Sequence, residues 1–134
     1  MIDLLKIFSY PKQLREAGIL GMNSRNYNVI SRYNKNGFYY TGNVSAVTPS
    51  EGGKYGQMLC IGCIASDNTE NAGFKVDGTG NSMTLKDCIS INHTNGYYAD
   101  SDTKALLYNC KGLDNTNATA GSGTIIIKNG SEIV

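Results

Sequence analysis

The sequence predicts an all-β protein, a right-handed parallel β-helix (a solenoid) of about four coils with a short helical cap at its N-terminus. Three observations lead to this prediction: the composition, an internal repeat, and the length of that repeat. The 134 residues suit a single domain, and they include 16 glycines, 15 asparagines and no tryptophan. A helical bundle is disfavoured because each interior glycine would cost about 1 kcal/mol. Short strands joined by many turns fit this composition better.

The repeat unit is a short strand, an asparagine-rich turn and a second strand that begins with glycine and an aromatic residue. Residues 28–38 align without gaps on residues 87–97, and a third, longer copy spans residues 62–74. A fourth copy begins at Asn109 and then loses the pattern. The identical pairs in the first alignment are Ile30 and Ile89, Ser31 and Ser90, Asn36 and Asn95, and Gly37 and Gly96. Such matches indicate that the copies are equivalent structural units.

The spacing of the copies indicates which unit is repeated. Gly73 and Gly96 are 23 residues apart, which suits one turn of a parallel β-helix containing three short strands. Gly37 and Gly73 are 36 residues apart, which places an insertion near residues 46–55. A leucine-rich repeat has a similar length but needs a leucine ladder that this chain lacks. In a β-helix, equivalent positions stack about 4.8 Å apart, so buried positions form ladders.

Residues 1–20 do not fit the repeat, and we therefore assign the β-helix domain to residues 21–134. Pro11 suits the start of a helix and Gly18 its end, which predicts one or two helical turns. A cap of this kind would cover the open edge of the first coil. The side chains expected to pack there are Leu4, Leu5, Ile7 and Phe8. Residues 14–26 also resemble the beginning of glutamate-ligase-like ATP-grasp proteins, so a fused leader is the alternative.

Charge and hydropathy argue against two classes of partner. The formal charge is +1, from 12 Lys and Arg against 11 Asp and Glu, which disfavours a strongly basic nucleic-acid binder. No stretch approaches the roughly 18 apolar residues that a membrane span needs. We therefore expect neither nucleic acid nor a membrane as partner. No signal peptide is visible at residues 1–10, because Asp3 and Lys6 interrupt the apolar run.

The four cysteines allow two interpretations. Cys60 and Cys63 form half of a zinc or redox motif that Cys88 and Cys110 could complete. However, Cys63, Cys88 and Cys110 share the repeat position of Val29, which favours an inward ladder of small, reduced side chains. Cys60 and Cys63 would point to opposite faces if they shared a strand. We therefore predict a structural role for these thiols and no metal site.

The single histidine, His93, excludes a Ser-His-Asp triad or a histidine metal cluster within the chain. It occupies the turn position that Asn34 holds in another copy. This equivalence favours a solvated turn residue over a catalytic base.

The strands that begin with glycine and an aromatic residue predict a binding face. Phe38, Phe74 and Tyr97 should face inward, because they occupy one repeat position. The next residues then face outward in a column of Tyr39, Lys75 and Tyr98, followed by a column of Thr41, Asp77 and Asp100. A lysine between two aromatic rings suits an acidic polysaccharide, because rings stack on sugars and the ammonium meets a uronate carboxylate. The alternative is an ordinary solvated lysine between surface tyrosines. Asp77, Asp100 and Asp102 offer oxygen ligands for a hard cation, although none lies in a recognisable loop.

Residues 72–81, 83–92 and 107–110 resemble the family 9 polysaccharide lyases, which are right-handed β-helix pectate lyases. The resemblance extends over about residues 28–115 and implies that Lys75 is the Brønsted base of a β-elimination, with calcium polarising the uronate carboxylate. In that family the calcium aspartates lie one coil earlier, in an Asp-Asp-Gly-aromatic-Asp pattern. Here residues 35–39 read Lys-Asn-Gly-Phe-Tyr, so every one of those aspartates is replaced and cleavage is in doubt.

Two classes of function follow from the sequence. The first is a pectate-lyase-like module that binds or cleaves acidic polysaccharide through Tyr39, Lys75 and Tyr98, with calcium as cofactor if it cleaves. The second is a non-enzymatic structural or adhesive β-helix, such as a segment of a phage tailspike or a surface protein, for which a homotrimer is conceivable. Both predict a secreted protein or one at a cell or virion surface. Fold alone does not decide between them.

Overall fold

The chain forms a parallel β-solenoid, seen in a computed structural model that describes residues 6–8, 17–20, 25–41, 57–69, 71–128 and 131–133. These residues contain sixteen strands and no helix. The strands are β1 (Lys6–Phe8), β2 (Ala17–Leu20), β3 (Arg25–Tyr27), β4 (Val29–Arg32), β5 (Asn36–Tyr40), β6 (Gln57–Ile61), β7 (Ile64–Ser66), β8 (Ala72–Val76), β9 (Ser82–Lys86), β10 (Ile89–Ile91), β11 (Asn95–Ala99), β12 (Lys104–Tyr108), β13 (Lys111–Leu113), β14 (Asn117–Ala120), β15 (Thr124–Lys128) and β16 (Glu132–Ile133).

The strands build three parallel sheets, and consecutive strands of the chain belong to consecutive sheets. The first sheet has the order β1-β4-β7-β10-β13-β16, the second β2-β5-β8-β11-β14, and the third β3-β6-β9-β12-β15. Every third strand therefore returns to the same sheet and pairs in parallel with its predecessor. The predicted all-β solenoid is confirmed. The sheets hold six, five and five strands, where the sequence predicted about four coils.

Residues with left-handed backbone conformation form the corners between the sheets. The corner from the third sheet to the first has positive φ at Asn28 (53°), Gly62 (66°), Asp87 (52°) and Asn109 (50°). The corner after the first sheet has positive φ at Tyr33, Asp67, Asn92 and Asp114. Asparagine, aspartate and glycine tolerate this conformation better than other residues do. Asn28, Asn92 and Asn109 therefore account for three of the 15 asparagines, and aspartate fills as many of these corners.

Ladders of identical or similar side chains fill the interior. Phe38 stacks on Phe74 with ring centroids 4.8 Å apart, and Phe74 stacks on Tyr97 at 5.3 Å. The glycine that precedes each of these aromatic residues is required by the stacking of the turns. A Cβ on Gly37 would collide with the carbonyl oxygen of Gly73 in the next turn. The repeat therefore keeps glycine where two backbones approach closely.

The predicted cysteine ladder is confirmed. Cys63, Cys88 and Cys110 are fully buried free thiols at the position that Val29 occupies, and Cys60 is buried as well. The Cys88 thiol donates to the Cys60 carbonyl oxygen at 3.3 Å. Burial raises the pKa of the Cys60 and Cys88 thiols, which favours the protonated form. Cys60 and Cys63 do not share a strand, because the corner at Gly62 separates them, and both therefore point inward.

The N-terminal helical cap finds no support in the described residues. Lys6–Phe8 and Ala17–Leu20 are strands β1 and β2, and they pair in parallel with β4 and β5. Leu4, Leu5 and Pro11 lie outside the described residues, as does the expected insertion at residues 46–55. Among the described residues, no helix has the length and apolar character needed to cross a membrane.

Candidate functional site

The second sheet brings the three predicted binding residues together. Tyr39 on β5 and Tyr98 on β11 both pair with Lys75 on β8, one on each side. All three side chains point outward and are partly exposed, while Phe38, Phe74 and Tyr97 beside them are buried. We call Tyr39, Lys75 and Tyr98 the tyrosine–lysine strip. Each residue of the strip directly follows one of these buried aromatic residues, and the stacked rings hold the strand in position.

The lysine of the strip lies between two aromatic faces. The Lys75 Nζ is 4.6 Å from the centroid of the Tyr39 ring and 5.6 Å from the centroid of the Tyr98 ring. Both distances fall within the range of attractive cation–π contacts. The exposed fraction of the Lys75 side chain is 16%, so an incoming group can reach the ammonium only from the outer side. The strip therefore presents one positioned cation flanked by two rings.

Asp77 lies beside the strip and contacts two of its residues, although the sequence placed it only in the neighbouring column. Its Oδ2 is 3.9 Å from the Lys75 Nζ and accepts a hydrogen bond from the Tyr39 hydroxyl at 2.5 Å. Residues two apart on a strand share a face, and this period could have identified the pair from the sequence. The carboxylate holds the ammonium in place and balances its charge.

The surroundings of Lys75 oppose a role as catalytic base. A base needs the neutral amine, whose nitrogen lone pair accepts the proton. All three described neighbours, two ring faces and one carboxylate, instead attract the ammonium cation. Lys75 is thus enclosed by two ring faces and one carboxylate.

The residues present do not fit a calcium ion beside Lys75. One turn earlier, Phe38 is buried in the core and the Asn36 side chain accepts a hydrogen bond from the backbone N–H of Ala72 at 3.1 Å. The nearby carboxylate of Asp77 is already paired with Lys75. No group of three or more His, Cys, Asp or Glu side chains among the described residues could hold a metal ion.

His93 is buried, so the prediction of a solvated turn residue is wrong. Its side chain belongs to a polar ladder with Asn34, Asn68 and Asn115. The Asn68 amide is 2.9 Å from Nε2, and the Ser90 hydroxyl is 3.0 Å from Nδ1 and donates to the Gly96 carbonyl. This arrangement indicates a neutral ring in which Nε2 accepts and Nδ1–H donates. Burial lowers the pKa of His93 to about 4.

The comparisons with known proteins give no relative. No protein-family model matches the chain, and neither the curated proteins nor the solved structures contain a significant match. The resemblance to the family 9 polysaccharide lyases therefore gains no support beyond the solenoid itself. What the structure establishes is a parallel β-solenoid with an outward tyrosine–lysine strip.

Proposed function

We propose that this solenoid is a non-catalytic binding module for acidic polysaccharide, and that the tyrosine–lysine strip is its binding site. The observation that carries the proposal is the position of the Lys75 ammonium between the faces of Tyr39 and Tyr98 on the outer side of a sheet. The strip offers what a uronate polymer needs: a cation for the carboxylate and aromatic surface for the sugar rings.

Each residue of the strip has a part in this binding. Lys75 donates to the uronate carboxylate, and the two tyrosines pack against the C–H faces of neighbouring sugars. Asp77 keeps the ammonium in place and accepts from sugar hydroxyl groups with its second oxygen. Because Asp77 also repels a uronate, the contact is expected to be modest in strength and sensitive to salt.

Cleavage by β-elimination is disfavoured relative to binding. That reaction transfers the proton α to the carboxylate to a neutral base and expels the 4-O-linked sugar, while a metal ion usually stabilises the developing charge. Two ring faces and the Asp77 carboxylate enclose Lys75, and the donor set for calcium does not fit. We therefore expect no unsaturated uronate from pectate, with or without added calcium.

A second candidate is a structural or adhesive solenoid at a cell or virion surface, assembled as a homotrimer of such segments. The observation that favours it is Asp77, which satisfies Lys75 and Tyr39 without any ligand. In this case the strip would contribute only to the surface of the scaffold.

Binding of polygalacturonate by the parent and by Lys75→Ala, measured calorimetrically at low and at moderate salt, separates the two candidates. We expect Lys75→Ala to weaken binding about tenfold, because it removes a partly buried cation. Lys111→Ala is the matched control, since Lys111 is an exposed lysine on the first sheet. If Lys75→Ala binds polygalacturonate as tightly as the parent does, the strip is not the binding site. If the parent does not bind polygalacturonate, the structural candidate is the one that holds.

A further inference from the structure

The third sheet has an unusual distribution of charge. Its five strands read Arg-Asn-Tyr, Gln-Met-Leu-Cys-Ile, Ser-Met-Thr-Leu-Lys, Lys-Ala-Leu-Leu-Tyr and Thr-Ile-Ile-Ile-Lys, without a single aspartate or glutamate. They carry four cations, whereas the whole chain has a formal charge of only +1. We call these four the basic face: Arg25, Lys86, Lys104 and Lys128. All four are exposed.

The strand register arranges part of the basic face as a ladder with an aromatic residue. Lys86 on β9 and Lys128 on β15 both pair with Tyr108 on β12, one on each side. Ile61 and Tyr27 continue this column, and the Tyr27 side chain is 47% exposed. With about 4.8 Å between neighbouring strands, the two lysines lie about 10 Å apart at their Cα atoms.

The lysines of the basic face lack the counter-charge that Lys75 has. Between described residues the ion pairs are Arg32 with Asp67 and Lys75 with Asp77, so none involves the basic face. Two acidic residues, Asp87 and Asp102, lie at corners beside this sheet. Asp87 follows Lys86, and its carboxylate accepts a hydrogen bond from the Asn109 amide at 2.7 Å. The outward surface of the sheet is therefore cationic.

Two surface depressions lie along the same face. One of about 360 Å³ is lined by Leu59, Ile61, Thr84, Lys86, Tyr108 and Asn109. The other, of about 540 Å³, has Asn81, Ser82, Asp102, Thr103, Lys104 and Leu106 in its lining, so one carboxylate lies beside its lysine. Both combine apolar side chains, hydroxyl or amide groups and a lysine. Such surfaces suit sugar rings, which have apolar C–H faces and polar edges.

We propose that the basic face is a second binding site for an anionic polysaccharide, whose chain runs across the strands along the solenoid axis. Lys86 and Lys128 then contact carboxylate or sulfate groups on either side of a sugar that packs on Tyr108. Nucleic acid fits less well, because its affinity depends on neutralising many phosphates and this face has four cations. A membrane fits less well too, because the apolar side chains between the cations, such as Leu106, are only partly exposed.

This site is independent of the tyrosine–lysine strip, which lies on the second sheet. The test uses dextran sulfate as probe and neutral dextran as its uncharged match, with a DNA duplex and anionic phospholipid vesicles as competing ligands. One variant, the double lysine variant, combines Lys86→Gln with Lys128→Gln. A second variant is Tyr108→Ala. Lys111→Gln is the control for the loss of one exposed charge outside both sites. Circular dichroism and melting curves check that each variant is folded.

The double lysine variant should bind dextran sulfate at least about tenfold more weakly and with a shallower salt dependence. Tyr108→Ala should lower the affinity for dextran sulfate several-fold. Lys111→Gln should bind dextran sulfate within about twofold of the parent, because a distant exposed charge is screened. Neutral dextran should bind far more weakly than dextran sulfate. Parent-like affinity in the double variant overturns the proposal, as does tighter binding of DNA or vesicles. Lys75→Ala combined with the double lysine variant reports on the strip alone, so one site can fail while the other stands.

Discussion

Single residues in this solenoid are constrained by the ladder to which they belong, and Tyr40 shows the cost of a poor match. It is fully buried in line with Val76 and Ala99, and its hydroxyl has no hydrogen-bond partner among the described residues. Burial raises the pKa of Tyr40, as expected where the charged form is not solvated. Tyr97 differs, because its hydroxyl donates to the Lys111 carbonyl at 2.6 Å.

Replacing these two tyrosines by phenylalanine should have opposite effects. Tyr40→Phe should raise the free energy of unfolding by about 1 kcal/mol, because a buried hydroxyl without a partner is removed. Tyr97→Phe should lower it by about 1 kcal/mol, because a hydrogen bond is lost. Urea unfolding of both variants measures the difference. Equal effects of the two changes would contradict the assigned environments.

His93 should make stability depend on pH. Its pKa is lowered from 6.5 to about 4 in the folded chain, so between these values the unfolded chain binds more protons. Stability should therefore be fully present above pH 6.5 and fall by roughly 3 kcal/mol as the pH drops to 4. His93→Asn introduces the residue that the equivalent positions 34 and 68 carry. It should make the free energy of unfolding nearly independent of pH between about 4 and 6.5. Parallel profiles for parent and variant would show that His93 does not contribute.

Whole strands depend on contacts between turns, and this explains which of them could be predicted. The copies at residues 28–38 and 87–97 identified the corners and the inward aromatic residues, because a solenoid repeats its sequence with its structure. β1 and β2 were missed, since local preference at residues 1–20 favours helix and only pairing with β4 and β5 makes them strands. The burial of His93 was missed because alignment with Asn34 revealed its position but not its surroundings.

The close approach of neighbouring turns can be tested at Gly73. A Cβ at this position would collide with the Ser90 hydroxyl and lie 3.0 Å from the Gly96 carbonyl oxygen. Gly73→Ala should therefore lower the free energy of unfolding by more than about 2 kcal/mol, since the buried Ser90 hydroxyl would have to give up its hydrogen bonds to His93 and to the Gly96 carbonyl. Thermal and urea unfolding measure this loss. A change below about 0.5 kcal/mol would mean that the turns are further apart than described.

At the scale of the whole molecule, the interior and the outer faces of the three sheets carry different sets of side chains. The interior supplies continuous ladders, the second sheet carries the tyrosine–lysine strip, and the third sheet carries the basic face. The strip could be predicted from the sequence, because its residues follow aligned glycine-aromatic pairs. The basic face could not, because its four cations are dispersed over residues 25–128 and only the strand register brings them onto one sheet.

The two ends of the stack also differ. Ile127, in the edge strand β15, is 45% exposed at a position where Cys60, Leu85 and Leu107 are fully buried. Asn26, in the opposite edge strand β3, is buried. Because each turn is stabilised mainly by its neighbours, the turn containing β15 should be less stable than the interior turns.

Binding of polysaccharide at the strip is best measured by nuclear magnetic resonance of the parent protein titrated with oligogalacturonate, because the spectra report on every face at once. We expect the signals of Tyr39, Lys75 and Tyr98 to shift progressively and saturate, while the signals of buried Cys88 and of Lys111 on the first sheet stay in place. Saturating oligogalacturonate that leaves the three strip residues unshifted would contradict the assignment of this solenoid as a polysaccharide-binding module through the tyrosine–lysine strip.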